Sequence, residues 1–205
     1  ILGEKSLIIS NSFENAKRIL DVYCRRFHDG LERFPIQKSN KRIDQSRTWV
    51  FENGGELRCL PATETTSRSF EANFIVFDEF AWVSGEAHLD EKLYEAASPA
   101  IAQGGLLCVV STPAGMIGKY WDLWSSRDVR PEHKLTIHWS ECPLLKVREE
   151  TLPFGKQYWL EGRPDPIPDD IFKREYCNEF DPGFGTIIPI DALDASLSPV
   201  AEVWK

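Results

Sequence analysis

Apolar and polar positions change period several times along the chain, and each change marks an element. Ser6-Leu7-Ile8-Ile9-Ser10 is a short apolar run of strand type. Asn11 or Ser12 follows, each able to cap a helix by accepting from its exposed backbone N–H groups. From there to about His28, the residues Phe13, Ala16, Ile19, Leu20, Tyr23 and Phe27 recur at spacings of three and four, giving one buried helical stripe. A basic segment, Lys38 to Arg47, precedes two strand-like runs, Arg47 to Phe51 and Glu56 to Leu60. Asn53-Gly54 between them tolerates the positive φ angles of a tight turn, so the pair predicts a β-hairpin. Pro61 to Ser69 is polar, rich in hydroxyls and without period, which predicts a loop. Asn73 to Phe77 is a continuous apolar run of buried parallel-strand type, and Asp90 to Ala102 a helix ended by Gly104-Gly105. Leu106 to Val110 is another buried strand, closed by Ser111-Thr112-Pro113, and Leu135 to Trp139 alternates like one more.

The order βα, hairpin, βα, β, β predicts an α/β protein with a mostly parallel sheet. After Pro143 the texture changes to helical pieces interrupted by Pro153, Pro164, Pro166 and Pro168, with a short helix over Ile171 to Phe180. The expected organisation is a core over 1–142, a small helical linker subdomain over 143–181, and a connecting segment over 182–205.

Composition narrows this picture. With 205 residues, 42% of them hydrophobic, the chain can bury one substantial core. Lys and Arg number 24 against 32 Asp and Glu, a formal charge of -8, so any contact with nucleic acid must be local. Lys38, Lys41, Arg42 and Arg47 are the local candidates, and a solvated charged loop is the plainer reading of them. The five cysteines, Cys24, Cys59, Cys108, Cys142 and Cys177, lack metal-ligand spacing and read as reduced thiols. His28, His88, His133 and His138 also lack ligand spacing and read as packing or surface residues. Trp121 and Trp124 with Tyr120 and Leu123 form an aromatic stripe that reads as helix core. No apolar stretch approaches the roughly 20 residues of a membrane span and no leader is visible, which predicts a soluble cytoplasmic protein.

Candidate chemistry centres on Asp78-Glu79. Two adjacent acids at the end of a buried strand would each cost several kcal/mol if buried unpaired, so they are expected at the carboxyl edge of the sheet. Ligands of open α/β sheets bind at that edge. The string Phe74-Ile75-Val76-Phe77-Asp78-Glu79 looks like a Walker B motif, in which the first acid holds Mg²⁺, usually through water, and the second polarises the water that attacks the γ-phosphate of ATP. Asp78 is then the metal partner and Glu79 the general base. About 30 residues on, a second apolar strand ends in Ser111-Thr112-Pro113-Ala114-Gly115, whose hydroxyls could hydrogen-bond towards a phosphate. The plain readings are a solvated loop start and a Pro-Gly turn.

Taken as an ordered series, these segments resemble the ATPase domain of the large terminase subunit, the motor that packages DNA into tailed-phage capsids. Leu7-Ile8-Ile9-Ser10 and its helix look like the family's second strand–helix unit, and Asn53-Gly54-Gly55-Glu56-Leu57 with Leu60-Pro61-Ala62 looks like its hairpin. Asp78-Glu79-Phe80-Ala81 is similar to its Walker B, Ser111-Thr112 to its coupling motif, and Phe172 to Phe180 to the helix leading out of the core. The resemblance implies a RecA-like P-loop NTPase fold of ASCE type, ATP and Mg²⁺ as cofactors, and a homo-oligomeric ring working on double-stranded DNA with a portal protein and a small terminase subunit in the host cytoplasm. It also implies that Arg68, eleven residues before Glu79, reaches a neighbour's nucleotide, although Ser69 stands where the family often has Gly. The plainer role for Arg68 is pairing with Glu64 or Glu71.

A phosphate-binding GxxxxGK[ST] string does not occur in the sequence. Gly3-Glu4-Lys5-Ser6 mimics only its end and runs into a strand rather than a helix. The resemblance puts the missing loop upstream of Ile1 and a nuclease domain downstream, for which Asp191 and Asp194 are only superficial candidates. The chain is therefore expected to be an internal piece of a longer terminase, with little or no hydrolysis by itself. The alternatives are a helicase- or restriction-type DNA translocase, and a non-catalytic remnant acting as an interaction module.

Overall fold

The computed structural model describes residues 4–31, 40–63, 66, 72–83, 88–142 and 167–183. Those up to Ser111, together with Gly118–Tyr120, form one compact unit; Thr112–Ile117 and the residues from Trp121 onward form a second.

The first unit is built on a six-stranded mixed sheet: β1 (Lys5–Ser10), β2 (Lys41–Asp44), β3 (Thr48–Phe51), β4 (Glu56–Pro61), β5 (Phe74–Asp78) and β6 (Leu106–Val110), in the order β2-β3-β4-β1-β5-β6. β4, β1, β5 and β6 run parallel, while β2, β3 and β4 pair antiparallel. The apolar runs at 7–9 and 74–77 become adjacent parallel strands with one face fully buried through Leu7, Ile9, Ile75 and Phe77 and the other only partly covered, Phe74 being exposed. Register matters most: Ser10 lies beside Asp78, and Asp78 beside Val110, so three strand ends meet at one edge.

The expected first helix forms. Ser12 caps it, its hydroxyl accepting from the Asn15 amide at 3.2 Å. It runs as α1 (Phe13–Arg18), a π-helical stretch (Ile19–Cys24) and α2 (Arg25–Gly30), an interruption that apolar period does not encode. Its buried Ala16 and Leu20 pack with Trp49 and Cys59, and Ile8, Leu57 and Cys24 close around them. The Cys24 and Cys59 thiols hydrogen-bond; the bond holds Cys24 below its ordinary pKa and, with burial, pushes Cys59 above it. Alternation puts Leu7 and Ile9 on the opposite face, both 1% exposed. The Asn53-Gly54 hairpin joins β3 and β4, and Gly54 takes φ 84 as the turn demands. Leu89–Ala102 forms helix α3 in spite of Pro99 within it.

Four expectations change. Of the helical stripe expected to be buried, only Ala16 and Leu20 are; Phe13, Tyr23 and Phe27 are exposed, and the π-helical stretch at Ile19–Cys24 breaks the 3.6-residue period on which the stripe rests. Leu106–Val110 is a strand but not a buried one, with Leu106 and Val110 exposed. Lys41–Asp44 is a strand rather than loop, pairing β3 with Lys41 Nζ 4.2 Å above the Trp49 ring, and Asp44 binds Arg25. Leu135 to Trp139 is not a strand: it carries no ladder among the described residues, Leu135 is 79% exposed, and Trp139 begins a 3-10 turn, Trp139–Glu141. Alternation alone specifies a pleat but supplies no neighbour to hydrogen-bond it.

In the second unit, helix α5 (Asp169–Cys177) buries Phe172, which meets Trp139 edge-on at 6.1 Å and stacks on Tyr176 at 5.2 Å. Asn178 ends α5 in the left-handed conformation, as a C-cap often does. Helix α4 (Gly118–Ser125) carries the aromatic stripe, and Trp121 and Trp124 pack on Phe180 at 4.8 and 6.2 Å, but no residue of α4 is fully buried, so the stripe is half-buried packing rather than the helix core expected. No described helix is long and apolar enough to cross a membrane.

Candidate active site

Asp78 is the last residue of β5, and in-register pairing sets the end of β1 against it. The Ser10 hydroxyl, fully buried, donates to Asp78 Oδ2 at 3.0 Å. A hydrogen bond to an ionised carboxylate is worth about 1.5–3 kcal/mol and fixes the rotamer it touches. Ser10 was invisible as a site residue in the sequence. Its only signal is that it ends one apolar run as Asp78 ends another, which matters once the two strands are known to be parallel neighbours.

Glu79 leaves the strand in the left-handed region, φ 52 and ψ 41, a conformation that costs a side-chain-bearing residue about 1–2 kcal/mol. Two contacts hold the strained turn. Phe80 folds back to stack on Phe77 at 4.7 Å, both rings buried, and the Ala81 amide donates to Ser111 Oγ at 3.1 Å. Strain kept in place by packing and hydrogen bonding is characteristic of functional turns.

Ser111 follows β6 and so reaches this edge from the next strand. Its carbonyl accepts from the Tyr120 hydroxyl at 3.1 Å. Burial, and then the negative charge of Glu79, raise the Tyr120 pKa, so the ring lies within electrostatic reach of that carboxylate. Tyr120 sits in the first turn of α4, which Asp90 of α3 anchors by accepting from the Lys119 amide at 2.6 Å. The unit thus brings Ser10, Asp78, Glu79, Ser111 and Tyr120 together at the carboxyl edge of its sheet.

The oxygen-only character of this group fits a hard divalent cation such as Mg²⁺, which takes one or two carboxylates and completes its shell with water and phosphate. The Ser10 contact occupies one of the two Asp78 oxygens. Among the described residues there is no cluster of three or more His, Cys, Asp or Glu that could bind a metal by itself.

The other sequence-predicted residues fall elsewhere. Thr112 follows Ser111 but belongs to the second unit. Arg68 and the loop around it, with Glu64, Ser69 and Glu71, lie outside the described residues, as do Asp191 and Asp194. Lys5 and Ser6 lie within β1, not at a strand-to-helix turn. His28 is buried against Trp49 and Phe51, at 5.9 and 5.8 Å, in a packing role.

The mixed sheet with its helices is of the RecA-like fold seen in solved large-terminase ATPase domains. The large-terminase ATPase domain of Thermus phage P74-26, in an arginine-to-alanine mutant, superposes with a TM-score of 0.60 at 17% identity, covering 88% of this chain and 78% of that one. The large terminase of a thermophilic bacteriophage, solved in complex with ADP, gives 0.55 at 12% identity, and that of bacteriophage HK97 gives 0.54 at 15%, each over 88% of this chain. This chain spans 41% and 40% of those two chains. The family model described as terminase large subunit, T4likevirus-type, N-terminal, matches residues 2–134, and the chain belongs to that family. Comparison with curated protein sequences finds no match.

Proposed function

We propose that this chain is the ATPase-motor segment of a phage terminase large subunit, which drives DNA translocation into procapsids. The observation that carries the reading is the pair of acids at one strand end: Asp78 held by the buried Ser10, and Glu79 in a strained turn braced by Ser111. Asp78 would hold Mg²⁺, and Glu79 would take the proton of the water that attacks the γ-phosphate. Ser111 and Thr112 sense the phosphate. The bound metal neutralises charge on the phosphates, while the protein's own part is to fix the two carboxylates and aim the water.

Phosphate binding in this reading needs a GxxxxGK[ST] loop, which does not occur in the 205-residue sequence. Arg68 acts in trans on a neighbouring subunit's nucleotide within a homo-oligomeric ring. The ring works on double-stranded DNA, with a portal protein and a small terminase subunit as partners, in the host cytoplasm. A core over 1–142, a linker subdomain over 143–181 and a connection over 182–205 remain the proposed organisation. Family membership favours a terminase over helicase- or restriction-type translocases bearing similar motifs.

The deciding experiment is Glu79→Gln in the full polypeptide that contains these residues. Loss of ATP hydrolysis by about a thousandfold or more, with ATP still bound, is expected when a general base and its aimed water are removed. Packaging should stop with it. Undiminished packaging would leave the non-catalytic interaction module as the correct reading, and undiminished hydrolysis would remove Glu79 as the general base.

A further inference from the structure

The geometry points to Tyr120 as a positioning residue for Glu79, acting through Ser111. Ser111 is clamped from two sides: its carbonyl accepts from the Tyr120 hydroxyl and its Oγ accepts from the Ala81 amide, both at 3.1 Å. Ala81 stands two residues beyond Glu79, inside the short 3-10 turn Phe80–Trp82 that the left-handed Glu79 opens. A shift of Ser111 therefore moves the turn that aims the carboxylate.

Tyr120 is itself held from behind. Gly118 adopts φ +79, where a side chain would be strained, and a Cβ there would come 3.0 Å from Asp90 Oδ2. The same Asp90 oxygen accepts from the Lys119 amide, and the Lys119 ammonium lies 4.8 Å from the Tyr94 ring of α3. The start of α4 is thus pinned to α3, and its Tyr120 reaches back to the strand end. Burial and the Glu79 charge both disfavour the phenolate, so the hydroxyl remains a donor across the neutral range. Its proton is directed at the Ser111 carbonyl, which makes it a brace rather than an acid in the reaction.

This inference rests on the ATPase reading above, and the test separates the two. In the full polypeptide, Tyr120→Phe keeps the ring and removes the brace. Expected is a fall in kcat of about tenfold with KM for ATP within about twofold, since a small misplacement of a catalytic group costs rate rather than binding. Ser111→Ala should lower kcat similarly, and the double variant should lose little more than the worse single one, as coupled residues do. Wild-type kcat in Tyr120→Phe, alongside an inactive Glu79→Gln, would overturn the inference and leave the ATPase reading intact. A lowered melting temperature with unchanged kcat and KM would reduce Tyr120 to packing and overturn it equally. Full activity in Glu79→Gln would sink both.

Discussion

The carboxylate of Asp78 owes its position to a residue 68 places earlier, the buried Ser10. Ser10→Ala removes the donor without adding bulk and leaves a charged acceptor short of one bond. The expected cost is about 1.5–3 kcal/mol, read as a lower urea midpoint. An unchanged midpoint would mean that water replaces the serine without loss. Asp78 and Glu79 were legible from residue chemistry because four apolar residues followed by two acids constrain where a chain can end a strand. Ser10 and Tyr120 were not, since a serine closing a strand and a tyrosine in an aromatic stripe each have ordinary roles.

At the scale of elements, local period worked where it coincided with burial. It gave β1, the hairpin, β5, α3 and β6 close to their observed bounds. It failed for β2, whose Lys41-Arg42-Ile43-Asp44 has one apolar residue and is held by partners distant in sequence. Arg25 grips Asp44 through both oxygens, at 2.7 and 2.9 Å, and Lys41 adds a contact at 3.2 Å. The Arg25 hydrogen bonds above all hold the Asp44 pKa down to about 2. A depressed carboxylate contributes stability above its unfolded pKa and loses it as pH falls through the folded one. Stability from this link should therefore decline between about pH 4 and pH 2, by less than about 1 kcal/mol because the pair is one-third exposed. Asp44→Asn should flatten that part of the stability curve measured by chemical denaturation. An identical acid limb in the variant would assign the decline to other carboxylates. The reverse failure, at Leu135 to Trp139, has the same cause: alternation was present and a pairing partner was not.

For the molecule as a whole, the expected absence of turnover follows from what the sheet edge holds. It gathers acids and hydroxyls, while the sequence contains no phosphate-cradling loop with its lysine. Phosphate release by the 205-residue chain should stay near background in a phosphate-release assay. Brisk turnover by this chain would require a phosphate site within these residues. The sequence by itself determined the α/β class, the family resemblance and the two acids, because apolar period and adjacent charges act over a few residues and need no distant partner. Only the tertiary structure decided that β1 lies between β4 and β5, that Ser10 meets Asp78, and that Ser111 and Tyr120 brace the turn of Glu79. Those contacts depend on strand order and register, which are set by packing between segments 9 to 68 residues apart and leave no mark on local pattern.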